Sequence, residues 1–192
     1  MSDVRRPIEW QQIAVILAVW SFAYGSYRAY YAVGGELGMI GQPRSSVQFR
    51  AINAIGAAAI ILFGSVVPLA AMYVRAVRRA LLILCWIAAV GCCMHALVDI
   101  ALRVFSVTGV HPTELPSSVW LSFDRRAADM QDLLLNEPWF LVEGLLWGWL
   151  GVTIVQPSRR RTWVTTVVAG CILLTVVGVM SGLGIIGSFR VG

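Results

Sequence analysis

Five runs of about twenty apolar residues, separated by arginine-bearing connections, constrain this chain more than any other feature. A run of that length crosses a bilayer as a helix, because its backbone polar groups find no water in hydrocarbon and must bond within the segment. The runs lie at residues 8–33, 51–73, 80–105, 138–155 and 163–186. They predict an all-α, polytopic membrane helix bundle forming one domain, residues 1–192. With 58% hydrophobic and 13% charged residues, and a mean hydropathy of +0.76, the composition excludes an ordinary water-soluble domain. Pro68 should kink the second run, and Gly182, Gly184 and Gly187 weaken the end of the fifth. Gly144 with Gly148, and Gly178 with Gly182, have the four-residue spacing that lets helix backbones approach closely.

The arginines predict an orientation. Arg5 and Arg6, then Arg75, Arg78 and Arg79, then Arg159, Arg160 and Arg161 mark the N-terminus and alternate connections. The positive-inside rule makes those cytoplasmic and puts the other two connections, 34–50 and 106–137, outside. Arg44, Arg50, Arg125 and Arg126 in those outer connections make the bias incomplete. The first run contains Arg28 and lacks a small-x-small cleavage site, so it reads as a retained span of a multi-pass protein of the bacterial cytoplasmic membrane. All fifteen basic residues are arginine. They sit at the ends of spans, so the positive net charge does not point to nucleic acid. Cys85, Cys92, Cys93 and Cys171 form no C-x-x-C pair, which gives neither a thiol relay nor a zinc site.

The longer outer connection has turns at His111-Pro112 and Leu115-Pro116. After them, Val119, Trp120, Phe123, Ala127, Met130 and Leu134 recur among charges at helical spacing. This predicts an amphipathic helix over 117–135 lying at the interface, able to cap the bundle or dock a protein partner.

With that orientation, the polar residues within the spans converge on one leaflet. Tyr24, Tyr27, Arg28 and Tyr31 stripe the outer half of the first span. Asn53 lies near the outer start of the second, and His95, Asp99 and Arg103 share one face of the third. Arg28 and Arg103 are expected to pair with Asp99 or Glu36, and Asp99 to set the tautomer of His95. The fourth span opens Asn136-Glu137-Pro138-Trp139-Phe140. Pro138 suits a first helical position, with Asn136 or Glu137 capping that end. Glu143 then lies inside the helix by roughly 8 Å at 1.5 Å per residue, on one face with Trp139 and Trp147. An ionisable group there is a functional-site candidate by default.

Tyr30-Tyr31-Ala32-Val33-Gly34-Gly35, His95 and the Asn136–Phe140 stretch together resemble a family of small, mostly actinobacterial integral membrane proteins of unknown function. Those carry a Tyr/Trp-x-x-Gly-Gly element and a Glu-Pro-Trp-Phe element before a glycine-rich span. The likeness covers residues 10–151 and implies a four-helix core with the fifth span added, but no settled activity. A looser similarity, in architecture only, is to small integral membrane terpene cyclases and the sterol-isomerase-like four-helix fold.

The pattern predicts an enzyme performing cofactor-free acid/base chemistry on a lipophilic isoprenoid, as a terpene cyclase or isomerase does. Glu143 is the expected acid, with Glu137 the alternate, and His95 with Asp99 the base. Tyr24, Tyr27, Trp139 and Trp147 would face a developing carbocation, and Arg28, Asn53 and Arg103 would line the substrate site. His95, Asp99 and Glu143 offer ligand chemistry without a ligand motif, so neither a metal nor another cofactor is expected. The alternative is a non-enzymatic binding or accessory protein whose polar cluster is structural or holds a small ligand or membrane lipid. A proton-coupled or ion-conducting element is disfavoured, because no polar path runs through the other half of the bundle.

Overall fold

The computed structural model describes residues 6–113 and 117–186. Arg5, the Leu115-Pro116 turn and Gly187, all used above, lie outside them. The chain is mostly helical: α1 (Arg6–Ala32), α2 (Ser46–Ala59), α3 (Val67–Ala70), α4 (Arg75–Val107), α5 (Arg125–Gln131), α6 (Glu137–Ile154) and α7 (Arg160–Gly182). Three helical stretches are long and apolar enough to cross a membrane: Ser46–Ala70, Ala80–Val107 and Pro157–Gly182.

Two helix ends show a clear local cause. Ser45 accepts a hydrogen bond from Gln48 N–H and caps α2. At the end of α1, Gly35 N–H bonds to the Tyr30 carbonyl and Gly34 N–H to the Tyr31 carbonyl. That double bond pattern needs a left-handed residue, and Gly34 has φ of +96°. The Tyr-x-x-Gly-Gly element is thus a helix terminator. Its Tyr30 hydroxyl accepts from the N–H groups of Glu36 and Leu37 and so orders the turn that follows.

Both interior prolines are handled alike. A π-helical stretch, Ile60–Val66, joins α2 to α3 just ahead of Pro68, and another, Asp132–Asn136, joins α5 to α6 just ahead of Pro138. Proline donates no hydrogen bond, and its ring crowds the carbonyl four residues back, so a widened turn there relieves both problems. The disturbance predicted at Pro68 takes this form.

The connections over 34–50 and 106–137 depart from expectation. Residues 117–135 were predicted as one amphipathic helix. Instead β2 (Trp120–Phe123) pairs antiparallel with β1 (Gly41–Pro43), and helix resumes only at Arg125. Asp124 decides this, because its carboxylate accepts from Ala127 N–H and starts a helix there. Trp120 and Phe123 meanwhile suit an extended strand. Helix α6 does not begin at a cap on Asn136 or Glu137 either. Asn136 has helical φ and ψ, and the chain runs through it from α5. A small sheet between the two connections thus covers one end of an otherwise helical molecule.

Helix α6 lies between α1 and α4, α2 with its continuation flanks α1, and α7 packs on α4. Gly144 permits the α4–α6 contact: a Cβ there would sit 2.9 Å from the backbone nitrogen of Cys93. Gly178 and Gly182 of α7 rest on Val98 and Leu102. The four cysteines are free thiols. At the end away from the sheet, Trp10, Ile13, Leu17, Leu81, Trp147 and Leu150 belong to a wholly apolar core. Only 6% of the most apolar window of Pro157–Gly182 is buried, and its Val168, Ile172, Leu173 and Val176 point outward. An apolar surface of that kind suits contact with a membrane or with another protein.

Candidate functional site

The polar residues gather at the sheet-covered end, in three groups. The first surrounds Glu143, which is buried between helices. Ser21 of α1 donates from Oγ to Glu143 Oε1 across 2.9 Å. Gly64, in the first π-helical stretch, closes the third side: a Cβ there would lie 2.4 Å from Ser21 Cβ and 3.3 Å from Glu143 Oε1. Among the described residues Glu143 Oε2 has no hydrogen-bond partner. Trp147, one turn on, is fully buried in the apolar core and brings its indole N–H to the Glu143 carboxyl. The aromatic stripe packs against itself. Trp20 stacks on Trp139 at 4.1 Å between ring centroids, and Tyr24 lies 5.8 Å from Trp139 and 5.2 Å from Phe140.

The second group joins α4 to α6. His95 Nε2 lies 3.7 Å from Asp99 Oδ2 and 3.9 Å from Glu137 Oε2. Phe140 meets the imidazole edge-on at 4.8 Å. It is Glu137, not Glu143, that comes to His95 and Asp99. Arg103 does not take the expected partners, Asp99 or Glu36. Its Nε lies 2.8 Å from Asp132 Oδ2, and its Nη1 3.7 Å from Asp129 Oδ1. Thr113 bridges these groups, accepting from Arg103 and donating to Asp129, while Ser106 donates to the other Asp129 oxygen. This network fastens the loop after α4 to α5.

The third group is a pocket of about 180 Å³ beneath the sheet, lined by Tyr27, Arg28, Asn53, Gln131, Asp132 and Asn136. Asn53 and Asn136 each donate within their own helix, to the Phe49 carbonyl and to Asp132, while the oxygen of each amide is buried without a partner. Tyr27 is held by Gln131 and by the Tyr31 hydroxyl. Among the described residues, no carboxylate lies within ion-pair distance of Arg28, so the pairing predicted for it is absent there too.

The chain matches no protein-family model, and no curated protein or solved structure is significantly similar to it. The chemistry of the site therefore stands on its own geometry.

Of the predicted site residues, Tyr27, Arg28 and Asn53 meet in the pocket, and His95, Asp99 and Glu137 meet at the α4–α6 crossing. Tyr24 and Trp139 stack beside them, whereas Arg103, Glu143 and Trp147 are each engaged elsewhere. Sequence reasoning missed Ser21, Asp129, Asp132 and Asn136. Both omissions had a signal: Ser21 continues the Tyr24–Arg28 stripe one turn back, and Asp129, Asp132 and Asn136 follow at i, i+3 and i+7.

Proposed function

We propose that this chain is a five-span protein of the bacterial cytoplasmic membrane, with its N-terminus inside, that holds the headgroup of an anionic, hydroxyl-bearing lipid in the pocket under the two-stranded sheet. The arginine bias supports the orientation. Helix α1, with 27 residues, and helix α6, continuous with α5, have the length for the two further crossings. The observation that carries the ligand is Arg28. It is a guanidinium that, among the described residues, makes no ion pair, although Asp132, held by Arg103, lines the same pocket; Asn53 and Asn136 line it too, and their amide oxygens are buried without donors among those residues. A phosphate would supply the missing negative charge, and neighbouring hydroxyls would donate to Asn53 and Asn136. Those exchanges relieve unpaired polar groups that are costly when kept from water.

Native mass spectrometry of the detergent-purified protein tests this with phosphatidylglycerol, phosphatidylcholine and free glycerol phosphate. Preferential retention of phosphatidylglycerol, weakened about tenfold or more in Arg28→Ala, is expected. Retention of free glycerol phosphate alone would point to a soluble ligand. Equal retention of both lipids, or an unaffected Arg28→Ala, would remove the proposal.

A second reading is cofactor-free proton transfer on a lipophilic isoprenoid. The unpartnered oxygens of Glu143 and Glu137 favour it, because a carboxylic acid with a free oxygen can donate a proton to an alkene while His95 with Asp99 removes another. The close packing of Ser21 and Gly64 on Glu143, and of Trp20 on Trp139, leaves this reading weaker. Mass spectrometry of lipophilic products from cells expressing wild type or Glu143→Gln separates the two. A product lost in the folded variant would establish proton transfer, and identical profiles would remove it.

A further inference from the structure

The geometry points to a divalent transition-metal site formed by His95, Asp99 and Glu137 where α4 crosses the start of α6. One imidazole nitrogen and one oxygen from each carboxylate all lie within 4.8 Å of one another. The two separations from His95 Nε2, 3.7 and 3.9 Å, are too long for hydrogen bonds, so three lone-pair donors converge without sharing a proton.

Glu137 is the residue that asks for a ligand. Its side chain is 3% exposed, and Oε2, the oxygen nearest His95, has no hydrogen-bond partner among the described residues. The obvious competing cation is already engaged, since Arg103 is held by Asp132 and Asp129. Among the described residues no arginine lies within ion-pair distance of Asp99 or Glu137. A divalent ion binds an imidazole and two carboxylates in their deprotonated forms, and its charge balances theirs once it is bound.

The donor set narrows the metal. One nitrogen and two oxygens suit zinc, manganese or iron(II) better than calcium or magnesium, which take oxygen ligands. Bond lengths of about 2.1 Å in a tetrahedral site place ligand atoms about 3.4 Å apart. The three groups therefore need to close by only some tenths of an ångström at the two His95 separations. His95 and Asp99 have that freedom, with side chains 45% and 27% exposed, while Glu137 is fixed. Spacing supplies the rest: His95 and Asp99 stand one turn apart on α4, and Phe140 holds the imidazole plane. Three protein ligands leave at least one coordination position open, as in catalytic rather than structural sites. Asp99 also borders a cleft of about 280 Å³, shared with Arg103, His111 and Thr113, through which a water or a substrate oxygen can reach the ion.

A cobalt titration of tag-free, chelator-stripped protein tests the site and reads the metal alone, so its failure leaves the headgroup pocket as it stands. We expect one Co²⁺ per chain with visible d–d bands, displaced by Zn²⁺. His95→Ala, at a half-exposed position that tolerates truncation, should weaken binding on the order of 100-fold while melting like wild type. Glu137→Gln should do the same with its volume conserved. Absence of saturable Co²⁺ binding below millimolar concentration, or binding unchanged in both variants, would overturn the proposal.

Discussion

Ser21 Oγ and Glu143 Oε1, 122 residues apart in sequence, meet at 2.9 Å and join the middle of α1 to the middle of α6. Both side chains are buried, so neither can exchange the contact for water. Gly64 fits against the pair because it has no side chain.

Ser21→Ala removes the hydroxyl that donates to Glu143 Oε1 and strands that buried oxygen. The cost should be about 1–3 kcal/mol, the usual penalty for a stranded buried acceptor. Glu143→Gln keeps an acceptor oxygen and nearly the same shape, so its loss should stay under about 1 kcal/mol. Equilibrium unfolding in detergent, measured side by side, checks the order of the two.

Gly64→Ala attacks the same contact by volume. Its new methyl would fall 2.4 Å from Ser21 Cβ, and both neighbours are hemmed in by packed helices. We expect a destabilisation of about 1–3 kcal/mol from overpacking, visible as a lowered melting temperature. A melting temperature equal to wild type would mean that the π-helical stretch yields more easily than its packing implies.

Arg28 and Arg103 should behave oppositely. Arg103→Leu leaves the buried Asp129 and the partly buried Asp132 without their cation, which costs about 3 kcal/mol. Arg28→Leu breaks no ion pair among the described residues and should cost under about 1 kcal/mol. Folded yield and melting temperature of the two variants test the contrast, and a similar loss in both would refute it.

Asp124→Ala should loosen the connection rather than the bundle. Losing the side-chain acceptor for Ala127 N–H costs about 1 kcal/mol at the first turn of α5. The junction that holds β2 against β1 lies immediately before it. Faster limited proteolysis within residues 108–124, with the melting temperature of the bundle little changed, is the expected result.

Much of the bundle was legible in the sequence because the signals are local. Run length and apolar content marked the helices, three stretches of which are long and apolar enough to cross a membrane, Tyr30–Gly35 held its own terminator, and the fading of α7 after Gly182 followed from its glycines. The gathering of Tyr27, Arg28, Asn53, His95, Asp99 and Glu137 toward one end was legible too, since position along a span sets depth. Partner choice was not. Arg103 could reach Asp99 one turn away, yet Asp129 and Asp132 arrive on a helix that starts at Asp124 rather than at Pro138 and leave Arg103 turned toward them.

The amino-acid sequence by itself determined where the apolar helices run and at which end the charges lie, because hydropathy and helical spacing act between near neighbours. Tertiary structure alone decided that Ser21 finds Glu143, that Glu137 finds His95, and that β1 finds β2. Those contacts depend on which faces of distant helices turn toward each other. Close approach at Gly64 and Gly144 and the widened turns before Pro68 and Pro138 set that rotation.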